Sequence, residues 1–265
     1  MQRLLLALIC CLFAACGKKD GKNDTSGGGP LRVGMELNYP PFETQDAQGN
    51  PDGVSVRLAE MLAKDLGRPL KIVPMKFSGL MPALKSKDVD LVISSMTATD
   101  ERRQSIDFSQ PYAFTGLAIL TGKDSKVQSA EDLKAAGIRI AVKAGTTGES
   151  WAAANLPEAK RTAYGEDTAC VQEVVQGRAD AFIYDQLSIY RYFKKNESAT
   201  RALLHPFVEE NWAVGIAKGN DELKAKVDVS LEKFRKEGGF GKLGEQYLAE
   251  EKKALEEMGI PFMLR

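Results

Sequence analysis

The stretch from Asp90 to Tyr112 reads DLVISSMTATDERRQSIDFSQPY, and its order of residue types decides which fold to expect. Leu91, Val92 and Ile93 form a short apolar run bounded by polar residues, the pattern of a buried strand. Ser94, Ser95, Thr97 and Thr99 then place four hydroxyls within six residues. Asp100, Glu101, Arg102 and Arg103 follow, with Thr99 positioned to cap a short helix whose first turn carries acids. A strand running into hydroxyls, a helix start and an arginine suits a carboxylate. Free backbone N–H groups and the helix dipole favour an anion there, and Arg102 adds a planar two-pronged donor. An ordinary turn with a solvated arginine pair is the alternative, and these residues alone leave both open.

Upstream, Leu31 to Met35 predicts a strand, and Pro40 and Pro41 hold residues 36–43 extended. A turn cluster at 49–53 leads into a helix over 54–66, stopped by Gly67. A strand at 70–74 and a short helix at 78–87 complete that side. Downstream, Ser129 is expected to cap a helix over 130–136, ahead of a strand at 138–142. Residues 143–151, KAGTTGESW, form a second anion cradle of the same physical kind. It is not a phosphate-binding loop, because no Gly-Lys-Ser/Thr closes the glycine pattern. A helix at 167–176, a strand at 179–184 with Asp185 at its end, an aromatic-rich helix around 189–193 and a strand at 212–217 follow. An amphipathic helix is expected over 221–236 and a charged one over 240–257. Strands alternating with helices give an α/β layout with largely parallel strands, in which ligands collect at the strands' carboxyl ends. Tyr39, Phe77 and Thr97 all follow predicted strands. For the two aromatics core packing is the alternative, and for Asp185 it is a helix cap. No internal repeat stands out.

The 265 residues suffice for one large domain or two modest ones. Lys plus Arg equals Asp plus Glu at 36 each, so net charge gives no pull toward nucleic acid. One histidine supports neither a metal cluster nor a Ser–His pair, and no cofactor is expected. Three of the four cysteines lie in the first sixteen residues, which leaves Cys170 as a small buried hydrophobe without a disulfide partner. The N-terminus is basic, then apolar from Leu4 to Ala15, then small before Cys16, which is a signal-peptide layout over residues 1–15. It resembles a bacterial lipoprotein signal, with Phe13 where such signals usually have Leu. The resemblance implies that Cys16 is lipidated, palmitate included, and anchors the protein. Residues 16–29 read as a flexible tether. The expected place is the cell envelope, facing the periplasm or the outside of the membrane.

Five stretches in order carry a wider resemblance: LRVGMELNYPPFE, PMKFSGLMPALKSKDVDLVISSMTATDERRQSIDFSQPY, RIAVKAGTTGESW, GRADAFIYD and WAVGIAKGNDEL. From Leu31 to about Leu248 the chain is similar to type 3 extracellular solute-binding proteins, the polar amino-acid receptors of bacterial ABC importers. That resemblance implies two α/β lobes, each a mostly parallel sheet flanked by helices, joined by two crossover strands. Lobe 1 would hold residues 30–119 and 215–265, and lobe 2 residues 120–214, with the ligand between them. Arg102 and Thr97, helped by Ser95 and Thr147, would hold the ligand's α-carboxylate. Asp185 would take the α-ammonium, Tyr39 and Phe77 would sandwich the ligand, and Glu36 and Lys143 would face its side chain. Relatives often carry Asp where Glu36 stands.

The implied partners are a free amino acid and a membrane permease, with the receptor itself a monomer. If the charges of Glu36, Asp185, Arg102 and Lys143 all face the cleft they cancel, which suits glutamine. If Lys143 points away, arginine or lysine is favoured, and if it dominates, glutamate. A cyclohexadienyl dehydratase-like lyase on the same fold is the rival expectation, with Glu36 as the candidate acid or base.

Overall fold

The computed structural model describes residues 29–264; the expected signal peptide, Cys16 and the tether up to residue 28 lie outside the described residues. In chain order the elements are β1 (Leu31–Met35), β2 (Thr44–Gln45), β3 (Pro51–Asp52), α1 (Val54–Asp65), β4 (Leu70–Pro74), α2 (Phe77–Lys85), β5 (Leu91–Val92), α3 (Asp100–Arg103) and β6 (Ile106–Gly122). A 3-10 turn at Glu131–Lys134 precedes β7 (Arg139–Lys143), α4 (Thr147–Asn155), β8 (Lys160–Tyr164), α5 (Asp167–Val175), β9 (Ala181–Asp185), α6 (Gln186–Lys195) and β10 (Thr200–Ala217). Then come α7 (Asp221–Lys236), α8 (Gly239–Tyr247) and α9 (Ala249–Glu257).

The strands of the main sheet lie in the order β4-β1-β5-β10-β6-β9-β7-β8. β1 runs parallel to β4 and β5, and β7 runs parallel to β8 and β9. Between these parallel halves, β6 and β10 pair antiparallel along nearly their whole length. This is the expected two-lobed α/β architecture, with the two crossing strands forming one continuous sheet with both halves. Apolar residues on α2 (Leu80, Leu84) cover one face of the first half with Val92, Ile106 and Phe108. Ala152 on α4 and Leu133 cover the corresponding face of the second half with Leu117, Ile140 and Ile183. A larger cluster, from Leu31 through Leu58, Phe182 and Trp212 to Leu231, lies under the remaining helices.

Each half is locked by the same device. Asp90, just before β5, accepts from the backbone N–H of Arg32 at 3.0 Å and pairs with its guanidinium at 2.6 Å. Asp180, just before β9, accepts from the backbone N–H of Arg139 at 2.8 Å and pairs with its guanidinium at 2.5 Å. The first clamp also receives Arg68 at 2.9 Å.

Several braces fix the crossing strands. Residues 96–98 are stitched to β10, with Ala98 N donating to Asn211 O (2.9 Å) and Ala213 N to Met96 O (3.1 Å). The C-terminal segment reaches β6, where Phe114 N donates to Met263 O (2.9 Å). On the other side, β9 pairs with β6 from Leu117 onward.

Four expectations change. The strand expected at 212–217 is the end of an 18-residue strand, and the 17-residue β6 was not foreseen. Pro111 and Pro206 interrupt both runs, and a proline normally argues against a strand. The edge strand β8 was missed because most of KRTAY is exposed. Ser129 caps no α-helix: the segment is a 3-10 turn, and Asp132 accepts from Gln128 N and Ser129 N at 2.8 and 2.9 Å. The charged helix over 240–257 breaks at Leu248 into α8 and α9.

Candidate functional site

The carboxyl ends of the strands in the two halves face one another across a shared cavity. From the first half come Glu36, Tyr39 and Glu43 after β1, Phe77 at the start of α2, and Ser94, Ser95, Thr97 and Arg102 after β5. From the second come Thr146 and Thr147 at the start of α4, and Tyr184 and Asp185 at the end of β9. The crossing strand β10 adds Glu210 and Trp212. Of the nine residues expected from sequence, eight line this cavity; Lys143 lies behind it, fully buried.

Arg102 reaches the cavity because α3 is capped as expected: Thr99 Oγ1 accepts from Arg102 N at 3.2 Å. Its guanidinium donates to Thr97 O at 2.8 Å and, across the cleft, to Gly145 O at 2.9 Å. It also lies over the Phe77 ring, 5.6 Å from the centroid. Two carbonyls leave other donors of the five-donor fork for an anion. Burial lowers the Arg102 pKa, while nearby Glu210 and Glu101 act in the opposite direction.

Across the cleft, α4 begins with Thr146 at its N-cap and no side-chain cap, so N–H groups of its first turn remain available to an anion. Gly148 permits the close seating of this helix end: a Cβ there would stand 2.6 Å from Ile183 O. Asp185 serves as the cap of α6, accepting from Ser188 N at 3.0 Å, and still lines the cavity. The cap therefore does not take the carboxylate away from the cavity. Burial pushes the Asp185 carboxyl above its ordinary value, opposed by hydrogen bonds from Tyr39 and Ser188.

Tyr39 is buried and packs edge-on against Trp212 and Tyr184, with ring centroids 5.9 and 6.1 Å apart. Its hydroxyl accepts from Ser188 Oγ at 3.0 Å, a second contact between the halves. Phe77 shows its face to Arg102 rather than standing free. Glu36 and Lys143, expected to face a ligand side chain, form a buried ion pair with each other. Glu36 also accepts from Phe77 N at 3.1 Å. This pair is a third contact joining the halves. Ser95, held at a positive φ of 49°, sends its hydroxyl to Glu43 at 3.1 Å.

Two acids were missed. Glu43 is buried and accepts from Ser55 at 2.5 Å, Ser95 at 3.1 Å and Ser94 at 3.4 Å. Burial pushes its carboxyl up to about 8; the Ser55 and Ser95 bonds oppose the rise and Glu36 adds to it. Glu210 is also buried and accepts from Thr97 Oγ1 at 3.3 Å. Burial raises its carboxyl too; hydrogen bonds from Thr147 and Thr97 and the Arg102 charge act against the rise. Glu43 stands in the motif LRVGMELNYPPFE, where only its neighbours drew attention. Glu210 had no sequence signal, because only the pairing of β10 with β6 turns it into the cleft. With both included, acidic groups outnumber basic ones around the cavity, and burial raises the carboxyls of Glu43 and Glu210 toward their neutral forms. Among the described residues no group of metal-ligating side chains occurs, and no helix is long and apolar enough to cross a membrane.

Residues 31–250 match the family model for bacterial extracellular solute-binding proteins, family 3. The chain is 33% identical to the L-cystine-binding protein TcyJ of Escherichia coli (strain K12), over 83% of this chain and 82% of that one. It is 35% identical to the arginine-binding extracellular protein ArtP of Bacillus subtilis (strain 168), over 94% of this chain and 98% of that one. Among solved structures it is similar to the ancestral amino acid-binding protein AncCDT-1, a precursor of cyclohexadienyl dehydratase, with 38% identity and a TM-score of 0.75, covering 83% of this chain and 95% of that one.

Proposed function

Because the chain belongs to family 3 of the bacterial extracellular solute-binding proteins, we propose that it captures a free L-amino acid between its lobes for an ABC importer. The observation that carries this reading is a pair of opposite charges on facing walls of one cavity, Arg102 from the first half and Asp185 from the second. A zwitterion leaving water needs both ends matched, since an unpaired buried charge is costly. Arg102 with Thr97 and Thr147 takes the carboxylate, and Asp185 takes the ammonium. Only the closed arrangement offers both, so ligand favours closure. In this reading lobe 1 comprises residues 30–119 and 215–265 and lobe 2 residues 120–214.

The charge balance refines the ligand class. Lys143 pairs with Glu36, Arg102 and Asp185 serve the main-chain ends of the ligand, and Glu43, its carboxyl pushed up to about 8 by burial, would be ionised by a cation arriving beside it. A basic side chain, that of arginine or lysine, would supply one. Glutamine ranks second and glutamate last. ArtP supports this order, since arginine is what its name says it binds.

The test is a thermal-shift screen of the wild type against the twenty L-amino acids, because a ligand specific for the folded state raises the melting temperature. A shift with arginine or lysine is expected, and no shift with any amino acid would refute the reading. For whichever one binds, Arg102→Ala should weaken affinity by roughly ten- to a hundredfold in calorimetry, about 1.4–3 kcal/mol. A lyase reading retains one supporting feature, the protonated Glu43, while its original candidate Glu36 is held by Lys143 and Phe77 N. Turnover of arogenate or prephenate would favour it. Processing at Cys16 would place the protein on a membrane beside its permease, and Cys16→Ser should then release it into the soluble fraction.

A further inference from the structure

Glu210 sits where a ligand's carboxylate is needed. It comes from β10, the crossing strand, and its carboxylate accepts from Thr97 Oγ1 at 3.3 Å, while the Thr147 side chain in the same cavity is close enough to hold its pKa down. Arg102 faces it without donating to it: its bonds go to the carbonyls of Thr97 and Gly145. Thus one buried carboxylate of the protein already engages the Thr97 hydroxyl and lies beside Thr147, the two groups assigned above to the ligand's carboxylate.

Glu210 also has somewhere to go. It lines two cavities, the cleft and a separate groove of about 720 Å³ behind the crossing strands. In the strand pairing it lies opposite Thr115, which lines the groove as well. Residues paired across antiparallel strands share a face. The Thr115 hydroxyl is buried and has no hydrogen-bond partner, an arrangement that buried polar groups rarely keep without a reason.

We infer that Glu210 is an internal occupant of the carboxylate subsite, which yields Thr97 and Thr147 to an arriving amino acid and turns toward Thr115. The inference rests on the amino-acid-binding reading. Its chemical content is a built-in competitor for the main-chain carboxylate, which also repels a second, side-chain carboxylate and so selects against acidic amino acids.

The experiment is calorimetry on wild type, Glu210→Gln and Thr115→Val with L-arginine, L-lysine, L-glutamine and L-glutamate, together with agmatine and cadaverine, which lack the carboxylate. For the amino acid that wild type binds, Glu210→Gln should tighten binding by about tenfold, leave the matching amine unchanged and admit L-glutamate. Thr115→Val should weaken the amino acid severalfold, and this effect should vanish in the Glu210→Gln background. Glu210→Asp, which keeps the charge but shortens its reach, should give an intermediate gain and guards against misfolding of the Gln variant. If Glu210→Gln weakens amino acid and amine alike, or changes neither, the inference is wrong while the amino-acid reading stands. If wild type binds none of the twenty L-amino acids in the thermal-shift screen, that reading falls and the inference with it.

Discussion

The two halves of the sheet share a scaffold and differ in what they load onto it. In each, an arginine at the start of one strand is clamped by an aspartate just before the next, Arg32 by Asp90 and Arg139 by Asp180, through the same backbone and guanidinium bonds. At the carboxyl ends the likeness stops. After its first strand the first half offers an acid, Glu36, and at the matching place the second offers a base, Lys143. The first half adds a crowd of hydroxyls and Arg102; the second adds a bare helix start and Asp185. Geometry at the strand starts is held constant while chemistry at the strand ends diverges. The strand ends are where ligands collect in such sheets, although here the Glu36–Lys143 pair also ties the halves together.

Breaking the cross-cleft pair should have the largest effect. Lys143→Met leaves Glu36 buried without its cation, and removing one member of a buried pair costs about 3–5 kcal/mol. A fall of that size in denaturant stability is expected, and Glu36→Gln in the same background should recover part of it. A loss below about 1 kcal/mol would mean that the pair is solvated.

The clamps come next and test whether the halves are truly alike. Asp90→Ala removes bonds to Arg32 and Arg68, whereas Asp180→Ala frees Arg139 alone. Chemical denaturation should show a loss of about 2–3 kcal/mol for the first and about 1–2 kcal/mol for the second, because charged hydrogen bonds contribute roughly 1.5–3 kcal/mol. Equal losses would show that Arg68 adds nothing.

Per unit of pH, the gentlest effect is that of Glu43 on the first half. Glu43 has its carboxyl raised from 4.5 to about 8, so the folded chain holds that proton more tightly than the unfolded one. Its contribution is fully present below pH 4.5 and declines as pH rises toward about 8. The ligand-free protein should lose about 1.4 kcal/mol per pH unit in that window. Glu43→Gln should flatten the slope, and an unchanged slope would assign it to other groups.

Much of this was legible from local chemistry. β1, β4 and α7 fall within the expected bounds, because apolar runs and helical spacing declare themselves. Thr99 was recognisable as a cap, and eight of the nine expected residues do line one cavity. What stayed hidden was relational. The repeated clamps join residues 58 and 41 positions apart. Glu36 and Lys143 each looked like a ligand contact because nothing in either motif reveals that they meet. Glu210 lies on a strand that a proline disguises, and its burial follows from pairing rather than from pattern.

One consequence follows from the braces on the crossing strands. Pinned through residue 114 on β6 and from 211 on β10 by one set of bonds, and again from 117 by β9, the paired strands keep a free span of only a few residues. That span holds Thr115 and Gly116 opposite Glu209 and Glu210. A side chain on Gly116 would stand 2.3 Å from Val208 O, so the spot accepts nothing bulkier. If the lobes swing as proposed, the movement would concentrate in this short joint, and the joint carries Glu210 into the cleft. The flexing point and the proposed seat of the ligand would then be parts of one small mechanical element rather than distant stations that must communicate.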